Sequence, residues 1–392
     1  MHDDAQQFQV DLRGVVDLLS RHIYSSPRVY LRELLQNARD AITARAEVDG
    51  AALEVRARIR GGRGAHADGA ADADQACRLL AGIGASSALA SAHLLAGALW
   101  EDAGEPEKAV SRYRLASRLI AQEGGDRTGA DFRLARAMLA AGDAAELFGE
   151  VLQREEQADI PAGSRAVTVV MLARSLLASG EFGQAVGALG YAAELHGEAE
   201  QGADQALALT EQAKILARFD EHEDAIELLE RAAEIVRRSP DAPAALAEVL
   251  HSLGQAYAGR SDERAFGLLD EVADLAQEHD AGWLLADVTD SRARAFATFG
   301  RIDDAVAAAL TAADGFAGSG DPGAAGGSEL FAARVLAGNG RGEGSVAIYR
   351  TVLDHAADVP PLQQIAALEL GDVLEGLGCT AEAAEARALA ES

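Results

Sequence analysis

The 392-residue chain is 49% hydrophobic and carries 63 acidic against 35 basic residues, a net charge of -28 that disfavours general adhesion to nucleic acid or anionic lipid. Its two cysteines, Cys77 and Cys379, are widely separated, so we predict neither a disulfide framework nor a metal site. Residues 1–10 lack the basic and apolar regions of a signal peptide and no apolar run reaches membrane-spanning length, so we expect a cytoplasmic protein with no membrane partner.

The first predicted elements are two helices within residues 11–46. The second contains the sequence LRELLQNARDA, in which Glu33 and Asn37 are four residues apart and therefore share one helical face. This E-x-x-x-N motif and its flanking sequence resemble the opening of the ninety-kilodalton heat-shock chaperones, members of the GHKL ATPase class. We therefore separate residues 1–47 as a chaperone-ATPase-like fragment.

The resemblance implies roles for three residues of this fragment. Glu33 would orient the attacking water as general base, Asn37 would hold magnesium and phosphate, and Asp40 would support the nucleotide pocket. The family completes the pocket with a D-x-G-x-G turn, a glycine-rich lid and an eight-stranded sheet. Here the turn positions hold His66, Asp68 and Ala70. We predict an incomplete site, no enzymatic activity and no cofactor, with ATP and magnesium as ligands only if the chain is a nucleotide-binding chaperone.

Residues 48–87 are predicted to join this fragment to the rest of the chain. Residues 61–74 (GGRGAHADGAADAD) are rich in Gly and Ala and lack large apolar side chains, which is typical of a flexible linker. Residues 55–60 can form a lone strand, and a strand without partners is unstable, so we predict low order from about 48 to 72. Alternatively, residues 72–87 form the second helix of a truncated repeat.

A helical-hairpin pattern recurs every 38 to 41 residues from residue 88 to residue 392. Its turn positions are Gly104, Gly142, Gly180, Asp220, Ser261, Gly300, Gly340 and Gly378. The small residues of its first helices are Gly97, Ala135, Ala173, Ala213, Gly254, Ala293, Ala333 and Gly371. Small residues let two helices approach closely, and a turn glycine supplies an unusual backbone angle. These features resemble the tetratricopeptide repeat, which implies an all-α, right-handed superhelix of about eight hairpins.

The position that follows the small residue of the first helix is basic in five units. These residues are Arg136, Arg174, Lys214, Arg294 and Arg334. In the family that the repeats resemble, this position faces a concave groove, so the resemblance implies a cationic track. Arginine pairs bidentately with carboxylates, and an acidic ligand is therefore expected. The alternative is that these side chains form ion pairs with acidic residues of adjoining repeats.

The sequence thus predicts a non-enzymatic scaffold or adaptor that binds an acidic peptide or helix and whose N-terminal fragment suggests a chaperone system. Two alternatives stay open. One is a chaperone-like protein with a residual ATP site, and the other is a ligand-sensing regulatory repeat domain.

Overall fold

The computed structural model describes residues 27–139, 144–239, 241–355 and 359–390. Within these ranges every regular element is helical, which confirms the all-α class. Contacts divide the chain into two compact units, the first ending at Leu147 and the second beginning at Phe148. None of the helices in these ranges is long and apolar enough to span a membrane.

The described part of the chain contains eighteen helices that follow one another as hairpins. They are α1 (Pro27–Gly61), α2 (His66–Ile83), α3 (Ser86–Asp102), α4 (Pro106–Gln122), α5 (Thr128–Met138), α6 (Ala145–Gln157), α7 (Ala162–Ala178), α8 (Phe182–Glu198), α9 (Gly202–Arg218), α10 (His222–Val236), α11 (Pro243–Gly259), α12 (Arg264–Glu278), α13 (Gly282–Thr298), α14 (Ile302–Gly318), α15 (Pro322–Gly338), α16 (Gly342–His355), α17 (Pro360–Gly376) and α18 (Thr380–Ala390). From α3 onward they match the eight predicted units, with the odd-numbered helix first in each. The hand of the superhelix stays a prediction.

Left-handed backbone forms the turn between the two helices in seven of the eight predicted hairpins. The values of φ lie between 54° and 79° at Gly104, Gly180, Asp220, Ser261, Gly300, Gly340 and Gly378. At Gly300 the N–H donates to the carbonyl of Ala297 at 3.0 Å, and the N–H of Arg301 donates to that of Phe296 at 2.8 Å, which ends α13. The predicted turn positions are confirmed, except Gly142, which lies outside the described residues.

The predicted small residues of the first helices lie where the two helices of a hairpin pack together. Ala173, Ala213 and Ala293 are fully buried. At Gly97 a Cβ atom would lie 2.6 Å from Cε1 of Tyr113, so the tyrosine ring fills the space that a side chain would need. Small residues therefore recur because each hairpin requires a close approach at this point.

The segment predicted to be a linker is helical. α1 continues without interruption through the proposed boundary at residue 47 and through residues 55–60, and α2 begins at His66. The predicted lone strand and the predicted low order from about 48 to 72 are therefore wrong. α2 packs against both α1 and α3.

The Gly- and Ala-rich composition of this segment serves close helix packing. Ala57, Ala70 and Ala73 are fully buried, and a Cβ atom on Gly69 would lie 2.8 Å from the carbonyl oxygen of Ala57. Gly64 supplies the turn with φ of 80°. The absence of large side chains, which suggested a linker, is what lets α1 and α2 come together.

A buried carboxylate also joins the two helices. Asp72 on α2 accepts hydrogen bonds from Nε and Nη2 of Arg56 at 2.8 and 2.6 Å, and Nη1 of Arg60 lies 2.9 Å from it. Two guanidinium groups from α1 thus neutralise one acid on α2, which compensates for removing that acid from water.

Candidate peptide-binding groove

Three adjoining cavities of about 290, 620 and 450 Å³ form a groove in the second unit. Their walls come mainly from the first helices of consecutive hairpins, α7, α9, α11 and α13. The cavities share side chains, because Glu211, Lys214, Glu248 and Gln255 each border two of them. The groove is therefore continuous across four repeats.

Two of the five predicted groove cations, Arg174 and Lys214, line this groove. Nζ of Lys214 lies 2.9 Å from Oε1 of Glu248 on the next first helix and 3.8 Å from Oε1 of Glu211. Two nearby carboxylates thus offset the charge of Lys214.

Arg174 differs from Lys214, because it is exposed and has no ion pair with any described residue. The acids Asp204, Glu211 and Glu248 border the same cavity, but none of them lies within 4 Å of the guanidinium group. This side chain keeps all its donors available to a ligand.

Arg294 on α13 is paired within its own helix. Its Nε donates to Oδ2 of Asp290 at 2.7 Å, and Ser328 on α15 donates to Oδ1 of the same carboxylate at 2.7 Å. The guanidinium carbon lies 4.6 Å from the ring centroid of Phe331. Asp290 and Phe331 hold Arg294 between neighbouring repeats.

Arg334 makes a bidentate pair with Glu369 on the next first helix. Nε and Nη2 donate to the carboxylate at 2.9 and 2.6 Å, and the hydroxyl of Tyr349 donates to it at 2.9 Å. The hydrogen bond with Glu369 raises the pKa of Arg334. Arg334 therefore joins neighbouring repeats.

An arginine, a glutamate and a tyrosine meet in the same way in the first unit. Nε and Nη2 of Arg136 donate to Glu101 at 3.0 and 2.9 Å, and the hydroxyl of Tyr113 donates to it at 2.9 Å. Arg136, Lys214 and Arg334 thus follow the alternative in which basic side chains pair with acids of adjoining repeats. Among the described residues, this leaves Arg174 as the predicted groove cation without an ion pair.

A polar cluster that the sequence did not predict lies beside the groove. His251 on α11 is buried, and its Nε2 lies 2.8 Å from Oγ of Ser291, which also accepts from Gln255 at 2.9 Å. Nδ1 of His251 lies 3.5 Å from Oδ2 of Asp287. Burial lowers the pKa of His251 and raises that of Asp287. A neutral imidazole with its proton on Nδ1 suits all these contacts.

A helical spacing would have revealed this cluster in the sequence. His251 and Glu248 lie four and seven residues before Gln255, the position equivalent to the predicted groove cations. Asp290 and Asp287 lie four and seven residues before Arg294 in the same way. Residues at these spacings share a helical face, so the whole face, not one position per repeat, defines the groove.

Two of the three residues implied by the chaperone resemblance have described side chains. Asn37 and Asp40 are exposed on α1, and the amide of Gln36 donates to Asp40 at 3.0 Å. The side chain of Glu33 lies outside the described residues, as does the first predicted helix. No β-strand occurs in the described ranges, so the sheet that would carry the rest of a nucleotide site has no counterpart there.

Cys77 contacts a histidine in the first unit. Its Sγ lies 3.4 Å from Nδ1 of His93, and both side chains are buried. Burial raises the pKa of Cys77 to about 12 and lowers the pKa of His93. The thiol is therefore protonated at neutral pH.

No protein-family model and no curated protein matches the chain. Among solved structures, it is similar to the apo form of the quorum sensor NprR from B. thuringiensis, with a TM-score of 0.55 and 14% identity, over 88% of this chain and 96% of that chain. It is similar to aspartyl phosphate phosphatase F from Bacillus subtilis, with a TM-score of 0.52 and 13% identity, over 88% of this chain and 93% of that chain.

A third similar structure is a Signal Transduction ATPase with Numerous Domains that has a tetratricopeptide repeat sensor, from Pyrococcus horikoshii. Its TM-score is 0.55 at 14% identity, over 82% of this chain and 49% of that chain. At these identities the likeness shows the fold alone, and it confirms a tetratricopeptide-like helical repeat. The resemblance of residues 1–47 to heat-shock chaperones finds no support in these structures.

Proposed function

We propose that this chain is a non-enzymatic regulator or scaffold that binds an acidic peptide segment in the groove of its second unit. The observation that carries the proposal is Arg174, a cation without an ion pair among the described residues, set in a groove that crosses four repeats. Its planar guanidinium group can accept a carboxylate in a bidentate pair.

The charge pattern of the groove supports a peptide with charge at one end. Arg174 lies at the α7 end, Glu248 borders both the cavity of Arg174 and the cavity toward α13, and Asp287 borders only the latter. A peptide would place its acidic side chain at Arg174 and neutral or basic residues toward Asp287. This refines the expected ligand, because four of the five predicted cations are already paired.

The structural likenesses fit this proposal without establishing it. A quorum sensor and a repeat-bearing sensor share the fold, and repeat surfaces of this kind bind extended peptides and helices. Sensing of a peptide by the groove would make the chain a regulatory domain, which unites the scaffold and ligand-sensing alternatives.

The test is selection from a phage-displayed library of random twelve-residue peptides on the full chain. Selected peptides are then titrated against Arg174→Glu and against Arg231→Glu, which makes the same charge change on the exposed face of α10. We expect acidic peptides whose affinity falls at least about tenfold in Arg174→Glu and less than about twofold in the control, since a charge-assisted pair is worth about 1.5–3 kcal/mol. Equal affinity for the wild type and Arg174→Glu would refute the proposed binding mode.

The nucleotide-binding alternative has a separate test. Titration with magnesium and ATP should give no saturable binding to the full chain. Saturable binding that is lost in Asn37→Ala would contradict the non-enzymatic scaffold and restore the chaperone-like alternative.

A further inference from the structure

Two exposed phenylalanines meet at the hairpin turns of the second unit. Phe182 begins α8 and Phe219 directly follows α9, and 37% and 53% of their surfaces are exposed. Their ring centroids are 5.2 Å apart at an interplanar angle of 61°. With Val186 and Leu216 they border an open hollow of about 820 Å³. The pair thus presents ring surface to solvent.

Two carboxylates border the same hollow. Glu181 and Glu221 follow the left-handed turn residues Gly180 and Asp220, and Glu181 accepts a hydrogen bond from the amide of Gln184. Neither carboxylate has a basic side chain within 4 Å in the part of the chain that the structure describes. The hollow therefore combines aromatic faces with negative charge that the protein itself does not neutralise.

Two hairpins later an arginine of the chain itself lies over an aromatic cluster. Phe266 and Phe299 have ring centroids 5.2 Å apart at 52°. The guanidinium carbon of Arg301 lies 4.3 Å from the ring centroid of Phe296 and 5.8 Å from that of Phe266. Arg301 directly follows the turn residue Gly300, and Glu221 directly follows the turn residue Asp220. The position after the turn therefore holds an arginine in one cluster and a glutamate at the hollow. The rings under Arg301 correspond to Leu216 and Val186, and Phe219 is the counterpart of Phe299.

We infer that the hollow at Phe182 and Phe219 binds an arginine side chain of a basic partner polypeptide. A guanidinium group stacks on an aromatic face and pairs with a carboxylate at its edge, and Arg301 stacks on Phe296 in this way elsewhere in the chain. The net charge of -28 adds long-range attraction for a basic partner. The hollow adjoins the groove, because Phe182 also borders its cavity of about 620 Å³, but Arg174 does not line the hollow, which has the opposite charge preference.

The experiment uses the full chain with 13C-labelled phenylalanine rings and follows the Phe182 and Phe219 resonances by NMR. The probe is the tripeptide acetyl-Gly-Arg-Gly-amide, and the neutral comparison replaces arginine with citrulline. We expect saturable shifts at millimolar concentration with the arginine probe and affinity at least about threefold lower with citrulline, since citrulline lacks the charge for the cation–π contact and for pairing with the carboxylates.

Two variants with the same charge change separate a specific site from general attraction to an acidic protein. Glu221→Arg replaces a carboxylate of the hollow with a cation and should weaken binding of the probe at least about fivefold. Glu194→Arg makes the change on the exposed face of α8, about 18 Å along the helix from Phe182, and should alter affinity less than about twofold.

Three results would each overturn the inference. They are equal affinity of the arginine and citrulline probes, equal weakening by Glu221→Arg and Glu194→Arg, and an absence of ring shifts up to 50 mM probe, a concentration about tenfold above the expected range. Arg174→Glu should leave the ring shifts unchanged, so failure here and failure of the groove proposal are distinguishable.

Discussion

Replacement of Gly69 by alanine tests whether the Gly- and Ala-rich segment is a close-packed helix interface. The new Cβ atom would lie 2.8 Å from the carbonyl oxygen of Ala57 and 3.3 Å from the backbone nitrogen of Gly61. Both neighbours are backbone atoms, so no rotamer change relieves the contact and α1 must move away from α2. Overpacking costs about 1–3 kcal/mol, and the better helix propensity of alanine returns up to about 1 kcal/mol. We expect a net loss of about 1–2 kcal/mol.

Gly82→Ala is the matched control in the same helix. A Cβ atom at Gly82 has no neighbour within 4 Å, so the substitution should raise stability by up to about 0.5–1 kcal/mol through helix propensity alone. Both variants replace glycine with alanine, and their changes in stability should have opposite signs.

Tryptophan fluorescence during urea unfolding can measure this difference in the first unit alone. Trp100 packs against the core cluster that contains Ala57, Ala70 and Ala73, and the chain's other tryptophan, Trp283, is removed as Trp283→Phe in every sample. The midpoint should fall for Gly69→Ala and hold or rise for Gly82→Ala. A Gly69→Ala protein as stable as its parent would show that α1 and α2 do not pack at this distance.

Burial lowers the pKa of His251, so the unfolded chain binds a proton at this residue before the folded chain does as the pH falls below about 6.5. The contribution of His251 to folding stability is therefore complete above that pH and declines below it. Urea midpoints between pH 7.5 and 5.5 should therefore fall less steeply in His251→Gln, and an unchanged slope would contradict the buried neutral imidazole. Glu101→Ala leaves Arg136 without its acceptor and should cost about 1–2 kcal/mol in the first unit, with no loss expected if the pair is fully solvated. Iodoacetamide at pH 7.5 should label exposed Cys379 but not buried Cys77 until urea is added, as mass spectrometry of the native chain can show.

The hairpins were predictable because their determinants are local. A left-handed turn residue such as Gly300 and a small residue such as Ala293 are each required by contacts within one hairpin, and seven residues separate them. Repetition along the chain then makes the pattern visible above chance.

The low order predicted from about 48 to 72 was wrong because composition does not distinguish a linker from a close-packed helix pair. Both favour Gly and Ala, the first for chain freedom and the second for small size. Glycine is required at position 69 because of its contact with the carbonyl of Ala57, twelve residues earlier. The strand prediction likewise did not take into account that Arg56 and Arg60 on a continuous α1 both pair with Asp72 on α2.

The sequence by itself determined the helical class, the period, the turns and which basic side chains recur at one position of the first helices. Only the tertiary structure decided which of those cations remain available, because Lys214 pairs with Glu248 and Arg334 with Glu369 across 34 and 35 residues of chain. Such pairs form between neighbouring repeats, where distance in space no longer follows distance in sequence. Arg174 has no partner of this kind among the described residues, and its role in the proposed groove follows from that packing.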